Sequence, residues 1–186
     1  MNLLERLAIL LVALGLTIGL IALLSGFFAA NDQASLAAPP SITGHRFRDL
    51  GDAQLQPGQR RPRYDSAPPT SGAHFPAPVT ADETSLNNDQ LLTALAAGDV
   101  VILYGTPQPP PSLTTLAEAL APGFTPALAQ AGQAVILGRR AGTVGLVGLA
   151  WTHLIRVRDP LDPRLREFAA YWLGHGAPRR PRKHQR

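Results

Sequence analysis

Residues 91–104 read LLTALAAGDVVILY, and the fold is read outward from them. Leu91, Leu92 and Leu95 recur at helical spacing, and Asn87 or Asn88 supplies an N-cap just upstream. Gly98 is the expected helix stop. Val100-Val101-Ile102-Leu103-Tyr104 follows as an unbroken apolar run, the pattern of a central strand covered on both faces. Helix then buried strand, within so few residues, points to a mixed α+β domain with helices packed on a sheet.

Downstream, TPQPPP makes a turn, and Ser112 is the expected cap of a second helix with Leu113, Leu116, Ala117 and Leu120 inward. Pro122-Gly123 ends it, and Thr125-Pro126 has the cap-then-proline order of another short helix. Residues 134–137 form a second apolar strand, with a turn at Arg139 to Gly142 and a third strand over 144–151. Residues 155–158 are read as its continuation past a bend. Asp162-Pro163 opens a last helix with Leu165, Phe168, Ala169 and Trp172 on one side and Gly174 beyond its end. The first two strands are expected parallel across a helical crossover, and the next pair antiparallel as a hairpin. The expected fold class is therefore α+β: a small mixed sheet of about three strands with packed helices, preceded by one N-terminal transmembrane helix and a disordered tether.

The transmembrane expectation rests on Leu7 to Ala30, LAILLVALGLTIGLIALLSGFFAA, which carries no charge. As a helix this run would be about 36 Å long, against a hydrocarbon core of about 30 Å. A cleaved signal peptide is the rival, but its apolar stretch is ordinarily shorter. Arg6 on the N-terminal flank predicts a cytoplasmic N-terminus and a domain outside, in a single-pass cell-membrane protein. Gly15 and Gly19 have the GxxxG spacing that permits close helix pairing, and hence a homodimer. Residues 31–63 are proline-punctuated, contain Arg60-Arg61-Pro62-Arg63, and lack periodicity, as a flexible tether would. Within them His45 to Arg48 has the look of a short edge strand. The expected organisation is anchor 1–30, tether 31–63, globular extracytoplasmic domain 64–178 and basic disordered tail 179–186.

Composition narrows the function. The 186 residues hold 17 Lys+Arg, 13 Asp+Glu and no cysteine. Disulfides, thiolate metal sites and cysteine nucleophiles are excluded. Residues 32–178 carry 11 basic and 12 acidic side chains, so the body is near neutrality and the excess charge sits in the terminal RRPRKHQR. A neutral body argues against a nucleic-acid partner. The tail suits an anionic surface at close range, or simply a solvated end.

Three segments together resemble the bacterial domain-of-unknown-function family 3105. They are Tyr64 with Pro68-Pro69-Thr70-Ser71-Gly72-Ala73-His74; LLTALAAGDVVILY over 91–104; and Ala150-Trp151 followed by FAAYWLGHGAP over 168–178. The resemblance spans about residues 64–178 and implies a membrane anchor, a tether and one outer domain, with no activity to carry over. It also implies a His and a Glu-His just before the glycine of the second segment. Thr93, Ala96 and Ala97 stand there instead, so a polar cluster built with His74 would be missing in this chain.

Ser71 and His74 invite comparison with a Ser–His hydrolase, but such a site also needs an orienting acid and oxyanion donors, and no GxSxG elbow is present. His74, His153 and His175 are weak metal-ligand candidates, since no pair has the spacing of a HExxH helix. His45 and His184 fall in the expected tether and tail. Gly142, Gly145 and Gly148 do not make a phosphate loop and are read as turn and packing glycines. No cofactor is expected. The leading expectation is a membrane-anchored extracytoplasmic domain with a non-catalytic binding or scaffolding role toward the bilayer and an unidentified protein partner. The candidate functional turn is Pro68, Pro69, Thr70, Ser71, Gly72 and His74. The alternative is a metal-binding or hydrolytic enzyme using His74 and its neighbours.

Overall fold

The computed structural model describes residues 43–178, which fall within one compact unit, Pro39–Arg186. The described elements are strands β1 (His45–Arg46) and β2 (Thr84–Ser85), helix α1 (Asn88–Ala97), β3 (Val100–Tyr104), α2 (Pro111–Leu120), α3 (Pro126–Gln130), β4 (Val135–Arg139), β5 (Leu146–Ala150), β6 (His153–Val157) and α4 (Pro163–Trp172). They build one six-stranded mixed sheet in the order β1-β6-β5-β3-β4-β2.

Helix α1 starts where its sequence asks it to. The Asn87 side chain accepts the Gln90 N–H while the Gln90 side chain accepts the Asn87 N–H, a reciprocal capping box. Leu91, Leu92 and Leu95 are buried, and Gly98 terminates the helix at φ 120°. Strand β3 is wholly buried, and its alternation splits the core in two. Val101 and Leu103 pack with α1 and α3 residues, whereas Val100, Ile102 and Tyr104 pack with Leu113, Leu165 and Phe168 of α2 and α4. Helices thus cover both faces of the sheet, which is why β3 has no polar face. Helix α2 begins at Pro111, one residue before the expected Ser112 cap, because a proline at the first helical position already has the required φ.

The expected fold of one N-terminal transmembrane helix, a disordered tether and about three strands is corrected in three respects. First, the sheet has six strands. Residues 153–157 do not prolong the third strand. They turn back as β6, pairing antiparallel with β5 so that Ala150 faces His153 and Leu146 faces Val157. Nor do β4 and β5 form the expected hairpin. Strand β3 takes β4 parallel on one side and β5 antiparallel on the other. A fully apolar strand is best buried between two neighbours, and this arrangement gives it both. The two-residue strands β1 and β2 close the edges.

Second, much of the expected tether belongs to the domain. Strand β1 pairs with β6, Phe47 N–H donates to the Thr152 carbonyl at 2.7 Å, and Gln54 bridges to His74. Farther on, Arg61 forms a two-pronged pair with Asp89 on α1. The edge strand expected at His45 to Arg48 is present as β1, at residues 45–46; the other bonds are long-range and leave no local signature. Third, among the described residues no helix is long and apolar enough to cross a membrane. The run 7–30 on which the transmembrane expectation fell, with Gly15 and Gly19, lies outside the described residues, as does the tail 179–186.

Candidate functional site: an aromatic cleft beside the β5–β6 turn

Residues Trp151 and Thr152 form the tight turn between β5 and β6. Thr152 sits at φ 62°, a left-handed backbone that a β-branched residue rarely adopts. Local bonds hold it there. Its hydroxyl donates to the Trp151 carbonyl at 2.6 Å and lies 3.0 Å from His153 Nδ1. His153 Nδ1 is also 2.9 Å from the Trp151 carbonyl. A carbonyl only accepts, so this contact assigns the proton to Nδ1 and leaves Nε2 as the acceptor. Burial holds the His153 pKa below its ordinary value, with the bond to Trp151 opposing and nearby Arg46 adding to the decrease. The imidazole is therefore neutral at pH 7.

The His153 ring stacks on Trp172 of α4, with centroids 3.9 Å apart and planes at 26°. Tyr171 and His175 meet the Trp172 ring edge-on, at 4.9 and 5.9 Å. The Trp172 indole N–H donates to the Thr43 carbonyl at 2.9 Å, anchoring the start of the described chain. Between this aromatic group and the turn opens a cleft of about 370 Å³, with Arg46 and Asp49 on its wall. The Trp151 indole N–H, buried beside it, has no hydrogen-bond partner among the described residues.

The turn predicted as functional lies directly behind this cleft. The Thr70 carbonyl accepts the Thr152 N–H at 3.0 Å. Ser71, fully buried, donates its hydroxyl to the Arg48 carbonyl and accepts the Leu50 N–H. Gly72 adopts φ 126° with the Tyr64 ring pressed on its Cα, so a side chain there would strike the ring. Pro68 and Pro69 are buried, and Arg156 donates to the carbonyl of Ala67 at 2.8 Å. His74 closes the turn on itself through Nδ1 and the Gly72 carbonyl at 2.9 Å, and its backbone bonds to residues 53 and 55. The Ser71 hydroxyl and the His74 imidazole thus have separate partners and do not form a nucleophile–base pair.

The three histidines part company. His153 and His175 share Trp172 as a neighbour, whereas His74 belongs to its own turn. Among the described residues no three His, Asp or Glu side chains gather as a cation site. Thr93 accepts the Ala77 N–H through its hydroxyl, the Ala96 carbonyl accepts the Ala177 N–H, and Ala97 lies at the rim of a smaller cavity beside Asp99. Sequence reasoning did not single out Arg46, Asp49, Arg61, Asp89 or Asp99. Only Asp99 left a signal, as a charge set directly before an apolar strand.

No curated protein and no solved structure matches the chain. Residues 57–185 do match a family model, and they contain the strapped turn, helix α1 with β3, and the Trp151 and Trp172 segments that meet at the cleft. By that match the chain belongs to the family described as protein of unknown function, DUF3105.

Proposed function

We propose that this chain is a non-catalytic binding module held at the outer face of a cell membrane, with the Trp172 cleft as its contact surface. The observation that carries the reading is convergence. The buried turn at residues 68–74 braces Thr152, Thr152 and Trp151 position His153, and His153 stacks on Trp172. The Ser71 hydroxyl and the His74 Nδ1 are engaged in bonds that hold that geometry. Aromatic faces beside one arginine and one aspartate suit a polypeptide segment that lays an apolar side chain on the rings and pairs its polar groups at the rim.

Membrane attachment is supported by the uncharged composition of 7–30, and the outward orientation by Arg6. The basic tail would add attraction to an anionic surface. The test is a photo-crosslinking residue at His175 in the full chain in cells, compared with one at exposed Val144, which does not line the cleft. A discrete adduct at position 175, absent at 144 and lost in Arg46→Glu, is the expected result. Equal labelling at both positions overturns the cleft as contact surface. Retention in the membrane pellet after alkaline extraction, with the domain cleaved by protease added outside intact cells, checks the location.

A further inference from the structure

Among the described residues two large apolar side chains stand in solvent, Val144 at 90% and Leu161 at 75% exposure. Each sits on a turn with bonds of its own. In the first, the Thr143 N–H donates to the Arg140 carbonyl at 3.1 Å, and Gly145 adopts φ 70° where a Cβ would strike the Val157 carbonyl. In the second, the Asp159 side chain accepts the Leu161 N–H at 2.8 Å, and its carbonyl accepts the Asp162 N–H at 3.1 Å. Three clefts meet at Val144, and their other walls carry Arg140, Arg156, Arg158 and Arg164, with Asp159 and Asp162 as their acids. Arg164 is ion-paired with Asp162 at 2.6 Å. Arg156 and Arg140 donate to neutral groups, the Ala67 carbonyl and the Asn88 side chain, so their charge stands. Arg158 is exposed. In a body with 11 basic and 12 acidic side chains over residues 32–178, this end is positive around two apolar tips.

We propose that this end of the sheet is a docking surface for a bilayer carrying anionic phospholipid, with Val144 and Leu161 entering the headgroup region and Arg140, Arg156 and Arg158 meeting the phosphates. The inference rests on the membrane location in the reading above. Charge selects the occupant. The centre of a protein–protein interface is depleted of charged residues, whereas here arginines surround both tips. At the headgroup boundary the apolar tips leave water while the guanidinium heads stay at the level of the lipid anions.

The place of this surface in the fold gives docking a consequence. Leu146 faces Val157 at this end of the β5–β6 hairpin, and Ala150 faces His153 at the other, beside the Trp172 cleft. Strands of five residues set the two ends about 14 Å apart. A domain seated by its arginine end holds the cleft away from the lipid and open to a partner.

The chain has no cysteine, so one fluorophore can be attached to the full chain at Val144→Cys or Leu161→Cys. Gln133→Cys is the control, an exposed position before β4 at the other end of the sheet. Each labelled chain is reconstituted into vesicles of phosphatidylcholine alone, or of phosphatidylcholine and phosphatidylglycerol at three to one, with headgroup spin-labelled lipid as quencher. Quenching is expected at 144 and 161 in the anionic vesicles, with far less in phosphatidylcholine alone and none above background at 133. With the label at 161, Arg158→Glu should lower the docked-to-undocked ratio at least about fivefold, the effect of one basic group near an anionic surface, and Arg158→Lys should preserve it. Salt at about 1 M, where the screening length is about 3 Å, should lower it likewise. Quenching at 144 and 161 no greater than at 133, quenching that ignores lipid charge, or an unchanged ratio in Arg158→Glu overturns the proposal. A blue-shifted label at 144 without quenching means that protein covers the patch, and overturns it too. Flotation separates the two readings. A chain that floats with the vesicles but is not quenched refutes the docking alone, and a chain that does not float refutes the membrane location and the docking with it.

Discussion

The Thr70 carbonyl accepts the Thr152 backbone N–H at 3.0 Å, tying a buried turn to a strained one across more than eighty residues of chain. Thr152 has its backbone in a region that costs on the order of 1–3 kcal/mol for such a residue, and strain of that size persists only when neighbours over-determine it. The Thr70 bond, the Phe47 bond to the Thr152 carbonyl and the hydroxyl bond to Trp151 are those neighbours. Thr152→Asn places a residue that tolerates left-handed backbone at the same point. It should raise stability by about 0.5–1 kcal/mol in urea unfolding, following the gain from matching residue to conformation. A loss of stability would show that the threonine methyl or hydroxyl outweighs the backbone term. If the strain serves the cleft, the same variant should weaken the crosslink at position 175.

Ser71 stitches residues 48 and 50 to the turn with one hydroxyl, donating to one and accepting from the other. Ser71→Ala strands a partly buried carbonyl and a partly buried N–H at once. The cost should be about 1–3 kcal/mol, the range for leaving such groups unsatisfied. A shift in urea midpoint without a change in slope would report it. An effect under about 0.5 kcal/mol would mean that water replaces the hydroxyl and the strap is looser than its geometry.

Asp99 makes stability fall as pH rises. Its folded pKa of about 7 lies above the ordinary carboxylate value, so between about pH 4 and pH 7 the folded chain binds a proton that the unfolded chain has released. Stability from this group is full below that window and is lost through it. Asp99→Asn keeps an oxygen for the Ala134 N–H and removes the titration. The variant should be more stable than the parent at pH 8, on the order of 4 kcal/mol for a pKa raised by about three, with the difference shrinking toward pH 4. Thermal midpoints of both proteins across that range measure the difference, and a flat difference would refute the assignment.

Asp89 has the opposite sign. Its hydrogen bonds from Arg61 hold its pKa below the usual value against the effect of burial, with the Phe75 N–H adding to the decrease. The folded state is then favoured above the unfolded carboxylate pKa, and this contribution is lost as pH falls through the lower folded value. Asp89→Asn should narrow the gap to the parent as pH drops from 5 toward 2, in acid-unfolding curves followed by tryptophan fluorescence. Arg61 is half exposed, so added salt should shrink the gap only modestly at neutral pH, where the geometry is two-pronged and one partner is buried.

How much of this was legible follows from where each signal lives. Helix α1 and strand β3 announce themselves because capping, periodicity and stop all lie within residues 87–104. The β5–β6 hairpin does not, because its turn is Trp-Thr, with no glycine, asparagine or proline at the left-handed position. Reading through it merges two strands into one and hides the cleft, since His153 meets Trp172 only after the chain reverses. Strand β1 falls within the short edge strand expected at His45 to Arg48, whereas β2, two residues long, exists by virtue of its partner β4. Arg61 falls in the run Arg60-Arg61-Pro62-Arg63 of the expected tether, and nothing local distinguishes it from Arg60 or Arg63. Its partner Asp89 is 28 residues away. The fold's local elements are written locally, whereas the site is assembled from contacts whose cause is the sheet order.

Gly148 shows how closely that order is packed. It lies mid-strand in β5, where a glycine weakens a sheet unless another element needs the room. A Cβ built there would come within 2.8 Å of Ile155 Cγ2, 3.1 Å of Leu165 Cδ1 and 3.2 Å of Phe168 Cδ1. All three side chains are buried, and two belong to α4, so the glycine is what lets that helix sit on the sheet. Gly148→Ala gains β-propensity worth a fraction of a kcal/mol and must then displace fully packed side chains, which costs about 1–3 kcal/mol. Overpacking should win. The variant should be less stable by urea unfolding, and because α4 carries Trp172, its tryptophan fluorescence should change in the folded state as well. Phe168→Leu in the same chain opens space on the α4 side and should recover part of the loss. If the double variant is instead destabilised by the full sum of the two single changes, the helix is not what the glycine accommodates.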